Sequence, residues 1–199
     1  MKLHAVLRSA VSRQSEETII RIKDLKIIQA NLDHTTRNTV CDKIQLSFGI
    51  VDILQKPASG KTVSFFYITS NGAANVRKST DYIAEMISLA GGKYIFDDLT
   101  DDTAKSTVNM QMESFYAGAK DADVMIYNAT IDSPIQSLDE LIAKNDLFSD
   151  FKAVQDGNVW CVGKYMYQAT DIVGQLITDF HLMLTGGDEK DMTFLTKVN

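Results

Sequence analysis

The chain has 199 residues, 45% hydrophobic and 23% charged, with a formal net charge of -6. This is ordinary globular composition, long enough for a proper core in one or two domains. The acidic balance argues against nucleic acid, which asks for basic patches. No apolar run reaches the roughly 18 residues of a membrane helix.

Residues 1–13 are basic but hold no apolar stretch, so they do not read as a secretory signal, and no lipid-attachment cysteine follows them. Ser15 can cap a helix beginning at Glu16, although helix to about Lys26 followed by a short strand fits residues 16–30 equally well. Residues 31–38 are polar loop. Ile44, Phe48, Val51, Ile53 and Leu54 give a helical face, ended by Pro57-Ala58-Ser59-Gly60.

Thr62 to Ile68 is the clearest strand, β-branched and aromatic between Gly60 and Asn71-Gly72. Ser79 or Thr80 caps the next helix, with Ile83, Met86, Ile87 and Ala90 on one face and Gly91-Gly92 as its stop. Tyr94 to Phe96 reads as a second short strand, and the acidic stretch from Asp97 to Asp102 as a solvated loop. Met110 to Ala119 reads as a short helix.

A third strand covers Val124 to Tyr127. Ser137 and Glu140 have the spacing of a capping box. A fourth strand runs from Val159 to Val162, and Cys161 within it packs as a small apolar residue; Cys161 and Cys41 do not make a disulfide framework. The last helix starts near Thr170, carries Val173, Leu176, Ile177, Phe180 and Leu184 on one face, and ends at Gly186-Gly187. From Gly60 on, strands and helices alternate. That order predicts a mainly parallel sheet sandwiched by helices, a three-layer α/β/α arrangement over residues 59–199. Residues 1–58 are expected to be a mostly helical N-terminal segment.

Chemistry-bearing motifs are few. Ser59-Gly60-Lys61-Thr62 looks like the end of a phosphate loop, but Gln55 stands where the motif needs glycine, and a strand rather than a helix follows. His4, His34 and His181 are far apart, and no paired-histidine or paired-cysteine spacing supports a metal site. No nucleophile-elbow sequence is present. Asn128-Ala129-Thr130 has the form of a glycosylation sequon.

Polar and aromatic residues do collect after the strands. Tyr67, Ser70 and Asn71 follow the first, Arg77 stands before the first helix of the lobe, Tyr127 and Asn128 end the third, and Tyr165, Tyr167 and Gln168 follow the fourth. Singly each is ordinary loop decoration. Together they predict a binding rim, since ligands of open α/β sheets sit outside the carboxyl ends of the strands. Arg77, read as lying in a loop over that edge, is the expected grip on an anionic ligand, with a salt bridge to Asp81 as the plainer role.

Three pieces, Val108 to Phe115, Ala122 to Asn128 and Asp150 to Trp160, occur in an order that resembles the C-terminal lobe of the substrate-binding proteins of ABC importers for iron-siderophores, haem and cobalamin. The resemblance extends over about residues 60–187 and leaves the first ~45 uncovered. It implies a binding protein rather than an enzyme, a ferric chelate, haem or cobalamin-like ligand rather than a cofactor, and a membrane permease as partner. Glu113, at a helix start, is the candidate for docking on that permease. The family is exported, to the periplasm or the cell surface. The absence of a signal or lipobox here departs from it, implying a trimmed or truncated chain or one that is not exported. Residues 1–58 are too short for a complete first lobe, so the exposed inner face would favour self-association. The competing reading is a small cytoplasmic α/β enzyme or nucleotide-binding domain. A glycine-rich turn after the first strand would favour it, and Ser70-Asn71-Gly72-Ala73-Ala74 lacks the required spacing.

Overall fold

The computed structural model describes residues 53, 56–100, 105–163 and 173–199, and the chain divides into two compact units, Met1–Gln55 and Lys56–Asn199. The helix, or helix and short strand, expected over residues 16–30 and the helix expected over residues 40–54 lie outside the described residues, apart from Ile53.

In the second unit the strands are β1 (Thr62–Ile68), β2 (Ala74–Arg77), β3 (Lys93–Tyr94), β4 (Thr107–Met110), β5 (Val124–Asn128), β6 (Val159–Val162) and β7 (Leu195–Lys197). They form one sheet in the order β4-β2-β1-β5-β6-β7, with β3 pairing to the amino end of β1. The helices are α1 (Tyr82–Leu89), α2 (Met112–Ala119), α3 (Leu138–Ile142), α4 (Lys152–Gln155) and α5 (Val173–Thr185).

The four strands expected from the sequence are all present, and β1, β3, β5 and β6 pair in parallel. The second of them is Lys93–Tyr94, with Phe96 in a turn beyond it. Three strands were not anticipated, and all pair antiparallel: β2 on β1, β4 on β2 and β7 on β6. The alternating order expected from Gly60 is therefore interrupted. The hairpin after β1 corrects the reading of residues 69–80 as a loop into a helix. The helix expected from Met110 begins at Met112, because Thr107–Met110 is drawn into the sheet beside β2.

Register fixes the two faces. Phe66 lies opposite Tyr127, and Tyr127 opposite Cys161, so these three share a face. Side chains alternate along a strand, which puts Phe65, Tyr67, Ile126, Asn128 and Trp160 on the other face. The first face is covered by α2, by the 3-10 turn Asp146–Asp150 and by α4, through an aromatic cluster. Phe66 lies 4.8 Å from Phe115 and 5.5 Å from Phe148, and Phe115 lies 5.5 Å from Phe151. On the Phe65 side, α1 and α5 pack together. His181 is buried with its Nδ1 3.0 Å from the Ala90 carbonyl.

Caps follow the chemistry of the termini. Asp81, rather than Ser79 or Thr80, caps α1 by accepting from the Ile83 amide. Gly91 takes φ +90° after α1, and the Gly92 amide reaches back to the Ile87 carbonyl. Ser137 caps α3 through the Glu140 amide, while the Glu140 carboxylate accepts from the Gln136 amide, one residue before the position a capping box would use.

Asp179 ties α5 to the C-terminal strand. Its fully buried carboxylate accepts from the Thr193 and Phe194 amides at 2.9 and 2.6 Å and from the Gln175 side chain. Asp179→Ala would leave two backbone donors without this acceptor. Bonds to a charged group are worth ~1.5–3 kcal/mol, so a loss of about 2–3 kcal/mol in urea unfolding is expected. An unchanged midpoint would show that the turn finds other acceptors at no cost.

Candidate binding edge

The two ends of the sheet differ in chemistry. At the amino end, Asp123 sews β1 to β5. Its Oδ2 accepts from the Thr62 amide and hydroxyl, both at 2.9 Å, and Lys152 donates to Oδ1 at 3.1 Å. The Thr62 amide and Lys152 hold this carboxyl below its ordinary value. At the carboxyl end, β1 and β5 instead run out into loops, on the side where an α/β sheet offers its crevice.

The β1–β2 hairpin is one of those loops. The Thr69 amide donates to the Ala73 carbonyl at 2.9 Å, the Ala73 amide returns to the Thr69 hydroxyl at 3.1 Å, and that hydroxyl also contacts the Asn71 side chain. Gly72 turns the chain at φ +80°, a conformation that suits glycine. The result is a short, internally bonded turn that carries exposed Ser70 and Asn71.

Tyr67 and Asn128 are each at the carboxyl end of their strand and share one face, Tyr67 half-buried and Asn128 buried. The Asn128 Oδ1 accepts from the Thr130 amide at 3.1 Å and from its hydroxyl at 2.6 Å. Tyr127 is near the same edge but on the opposite face, its ring edge-on to Phe66. It is 0% exposed, so its ring is a wall of the core. Tyr165, Tyr167 and Gln168 lie outside the described residues.

Arg77 is not in a loop over this edge. It is the last residue of β2, 4% exposed, with its guanidinium carbon 5.9 Å from the centroid of the Phe65 ring and Nη1 3.6 Å from the Asp81 carboxylate. The Tyr94 hydroxyl bridges its backbone, accepting from the Arg77 amide at 3.0 Å and donating to the Arg77 carbonyl at 2.8 Å. Antiparallel pairing explains the placement, since β2 runs back from the carboxyl edge and carries Arg77 away from it. Burial pushes the Asp81 carboxyl up, against the Ile83 amide and the Arg77 charge. Burial also raises the Tyr94 phenol. The geometry contains the plainer role of Arg77, partner to Asp81.

Two groups at the edge were missed by the sequence reading. Asp132, in the loop after β5, accepts the Tyr127 hydroxyl at 2.6 Å and the Lys144 ammonium at 2.7 Å, both on Oδ2. These two donors lower its carboxyl from 3.8 to about 2, Lys144 contributing most. Burial and Asp132 raise the Tyr127 phenol in turn. Nothing in the spacing of Asp132 signals this; only the return of Lys144 beyond α3 brings the three together. A depressed carboxyl contributes stability that is present above its ordinary value and is lost as pH falls through the folded value. Unfolding free energy should thus fall between pH 4 and pH 2, and Asp132→Asn should flatten that part of the profile. Identical slopes in the two proteins would contradict it.

Glu113 is exposed in the first turn of α2, where the positive end of the helix favours a carboxylate. The α2 start follows the carboxyl end of β4, which pairs with β2 at Ala74 opposite Ile68 of β1, so Glu113 lies toward the binding edge. Among the described residues, no cluster of histidine, cysteine, aspartate and glutamate could hold a metal ion, and no helix is long and apolar enough to cross a membrane.

No protein-family model and no curated protein sequence matches the chain. Solved structures share its fold. An ABC transporter substrate-binding protein from Listeria monocytogenes is 17% identical with a TM-score of 0.52, over 84% of this chain and 64% of that one. A protein of an ABC-type Fe3+-hydroxamate transport system from Saccharomonospora viridis is 10% identical with a TM-score of 0.58, over 81% and 54%. The periplasmic heme-binding protein HutB of Vibrio cholerae is 16% identical with a TM-score of 0.54, over 76% and 56%. The first and third of these neighbours are binding proteins, and the chain spans 54–64% of the length of the three.

Proposed function

We propose that the chain is the solute-binding component of an ABC importer, or its C-terminal lobe, and that it takes up an iron chelate, haem or a cobalamin-like ligand. The observation that carries this reading is the parallel β1-β5-β6 core, with β1 and β5 leading into loops at their carboxyl ends, in a fold shared with an ABC transporter substrate-binding protein and a periplasmic heme-binding protein. Tyr67, Ser70, Asn71 and Asn128 are the described residues assigned to the ligand, with Tyr165, Tyr167 and Gln168 from the segment after β6. The lobe performs no chemistry; it closes on its ligand and presents it to a membrane permease, for which Glu113 is the docking residue. Its place of work is outside the cytoplasmic membrane.

Trp160, the only tryptophan, lies on β6 with its indole N–H donating to Asn158 at 3.1 Å, toward the amino end, so a coloured chelate or macrocycle at the carboxyl edge would quench it by energy transfer along the strand rather than by contact. Titrating the intact chain with a ferric trihydroxamate, haemin and cyanocobalamin should give saturable quenching with one of the three. Quenching by none, in a chain shown to be folded by cooperative unfolding, would reject the reading.

A further inference from the structure

The loop from β5 to α3 is tied down at several points, yet it leaves one large apolar side chain in water. The Ala129 amide donates to the Val162 carbonyl at 3.0 Å, which fastens the loop's start to β6. Its end is fastened by the Gln136 amide on Glu140, and Ile135 is buried. In the middle stands Asp132. One of its oxygens takes the Tyr127 hydroxyl and the Lys144 ammonium, and the other accepts from the Ser133 amide at 2.7 Å. The Lys144 ammonium also stands 5.4 Å from the centroid of the Tyr127 ring. Tyr127 belongs to the core and Lys144 follows α3, so a single carboxylate cross-links two separate elements through the loop. The residue before it, Ile131, is 60% exposed.

We propose that Asp132 is a positioning residue of the binding edge: its clasp on Tyr127 and Lys144 holds the β5–α3 loop so that Ile131 makes an apolar contact with the bound ligand. The proposal rests on the function proposed above and adds to it a ligand with an apolar face beside the end of β5. An isolated surface ion pair would hold little, because exposed pairs are worth ~0–1 kcal/mol. Here the phenol comes from a fully buried tyrosine, which gives the carboxylate a rigid post. A fixed loop also orders no side chain at the moment of binding, which is how preorganisation raises affinity.

The test uses the intact chain, the variants Asp132→Asn and Ile131→Ser, and whichever of ferric trihydroxamate, haemin or cyanocobalamin binds the parent. Two readouts are taken, ligand affinity by calorimetry and native-state hydrogen exchange of the amides of residues 129–133, 135 and 136. Asp132→Asn should speed exchange in that loop about tenfold, the scale of one hydrogen bond, with exchange of β1 and β5 unchanged, and should weaken binding. Ile131→Ser should leave exchange as in the parent and weaken binding about tenfold, the scale of one lost apolar contact in a pocket. Parental affinity in Ile131→Ser overturns the proposal while leaving the function standing. Faster exchange throughout the sheet in Asp132→Asn, without a specific change in the loop, overturns it as well, since the residue would then be structural only. If the parent binds none of the three probes, the proposed function falls and the ligand contact falls with it.

Discussion

Arg77→Ala is expected to cost the unit Lys56–Asn199 about 3–5 kcal/mol at neutral pH, the scale of breaking a buried pair by removing one partner. The reason is what it leaves behind. Asp81 is almost wholly buried and its carboxyl is already pushed up by desolvation, so without the guanidinium at 3.6 Å it becomes a buried charge supported, among the described residues, by the Ile83 amide and the Ser106 side chain. The pH dependence has a definite sign. An acid raised in the folded state is stabilising to the fold while protonated, and that contribution is lost as pH rises through its folded value. The deficit of Arg77→Ala should therefore shrink on acidification from pH 7 to pH 4. Arg77→Ala with Asp81→Ala should be less damaged than the sum of the two single variants. Urea unfolding at both pH values decides it: a deficit that is small and independent of pH would mean that the two charges are screened from each other.

Phe115→Ala should be damaging to a similar degree, by about 3–5 kcal/mol, for a different reason. The Phe115 ring is fully buried and lies 4.8 Å from Phe66, 5.5 Å from Phe151, 6.0 Å from Phe96 and 6.3 Å from Phe148. It is the common neighbour through which α2, the 3-10 turn and the strand β1 meet. Large rings around a fixed backbone cannot collapse into the vacated space, so the cavity term adds to the lost transfer energy. Phe115→Leu should lose less. Equal, small losses in chemical denaturation for both variants would show that the cluster repacks freely.

These two residues illustrate how the sequence could and could not be read. The strands β1, β5 and β6 were legible because each is a short apolar run bounded by turn residues, and burial on both faces makes such runs nearly continuous. The Ser137–Glu140 spacing was legible because a cap is a local matter. Arg77 was misplaced because Ala74-Asn75-Val76-Arg77 has no strong strand pattern. It becomes a strand by pairing with β1 across a short hairpin and with β4 on the other side; Asn71-Gly72 is a local hairpin signal, whereas a partner distant in sequence such as β4 leaves no local mark. The antiparallel β7 was missed for the same reason. The rim was legible as a set of polar residues after strands, but not by face. Only the register of Phe66 with Tyr127 separates Tyr67 from Tyr127 and reveals the second as a post for Asp132.

The proposed function places a ligand at the carboxyl edge of β1, β5 and β6. Its most direct test is the hydrogen-exchange footprint of the intact chain with the chelate, haemin or cyanocobalamin that quenches Trp160. Added protection should fall on residues 67–72 and 128–133, with the amides of Thr62, Asp123 and Lys152 at the amino end unchanged. Protection centred on the amino end, or spread evenly over the sheet, would contradict the account.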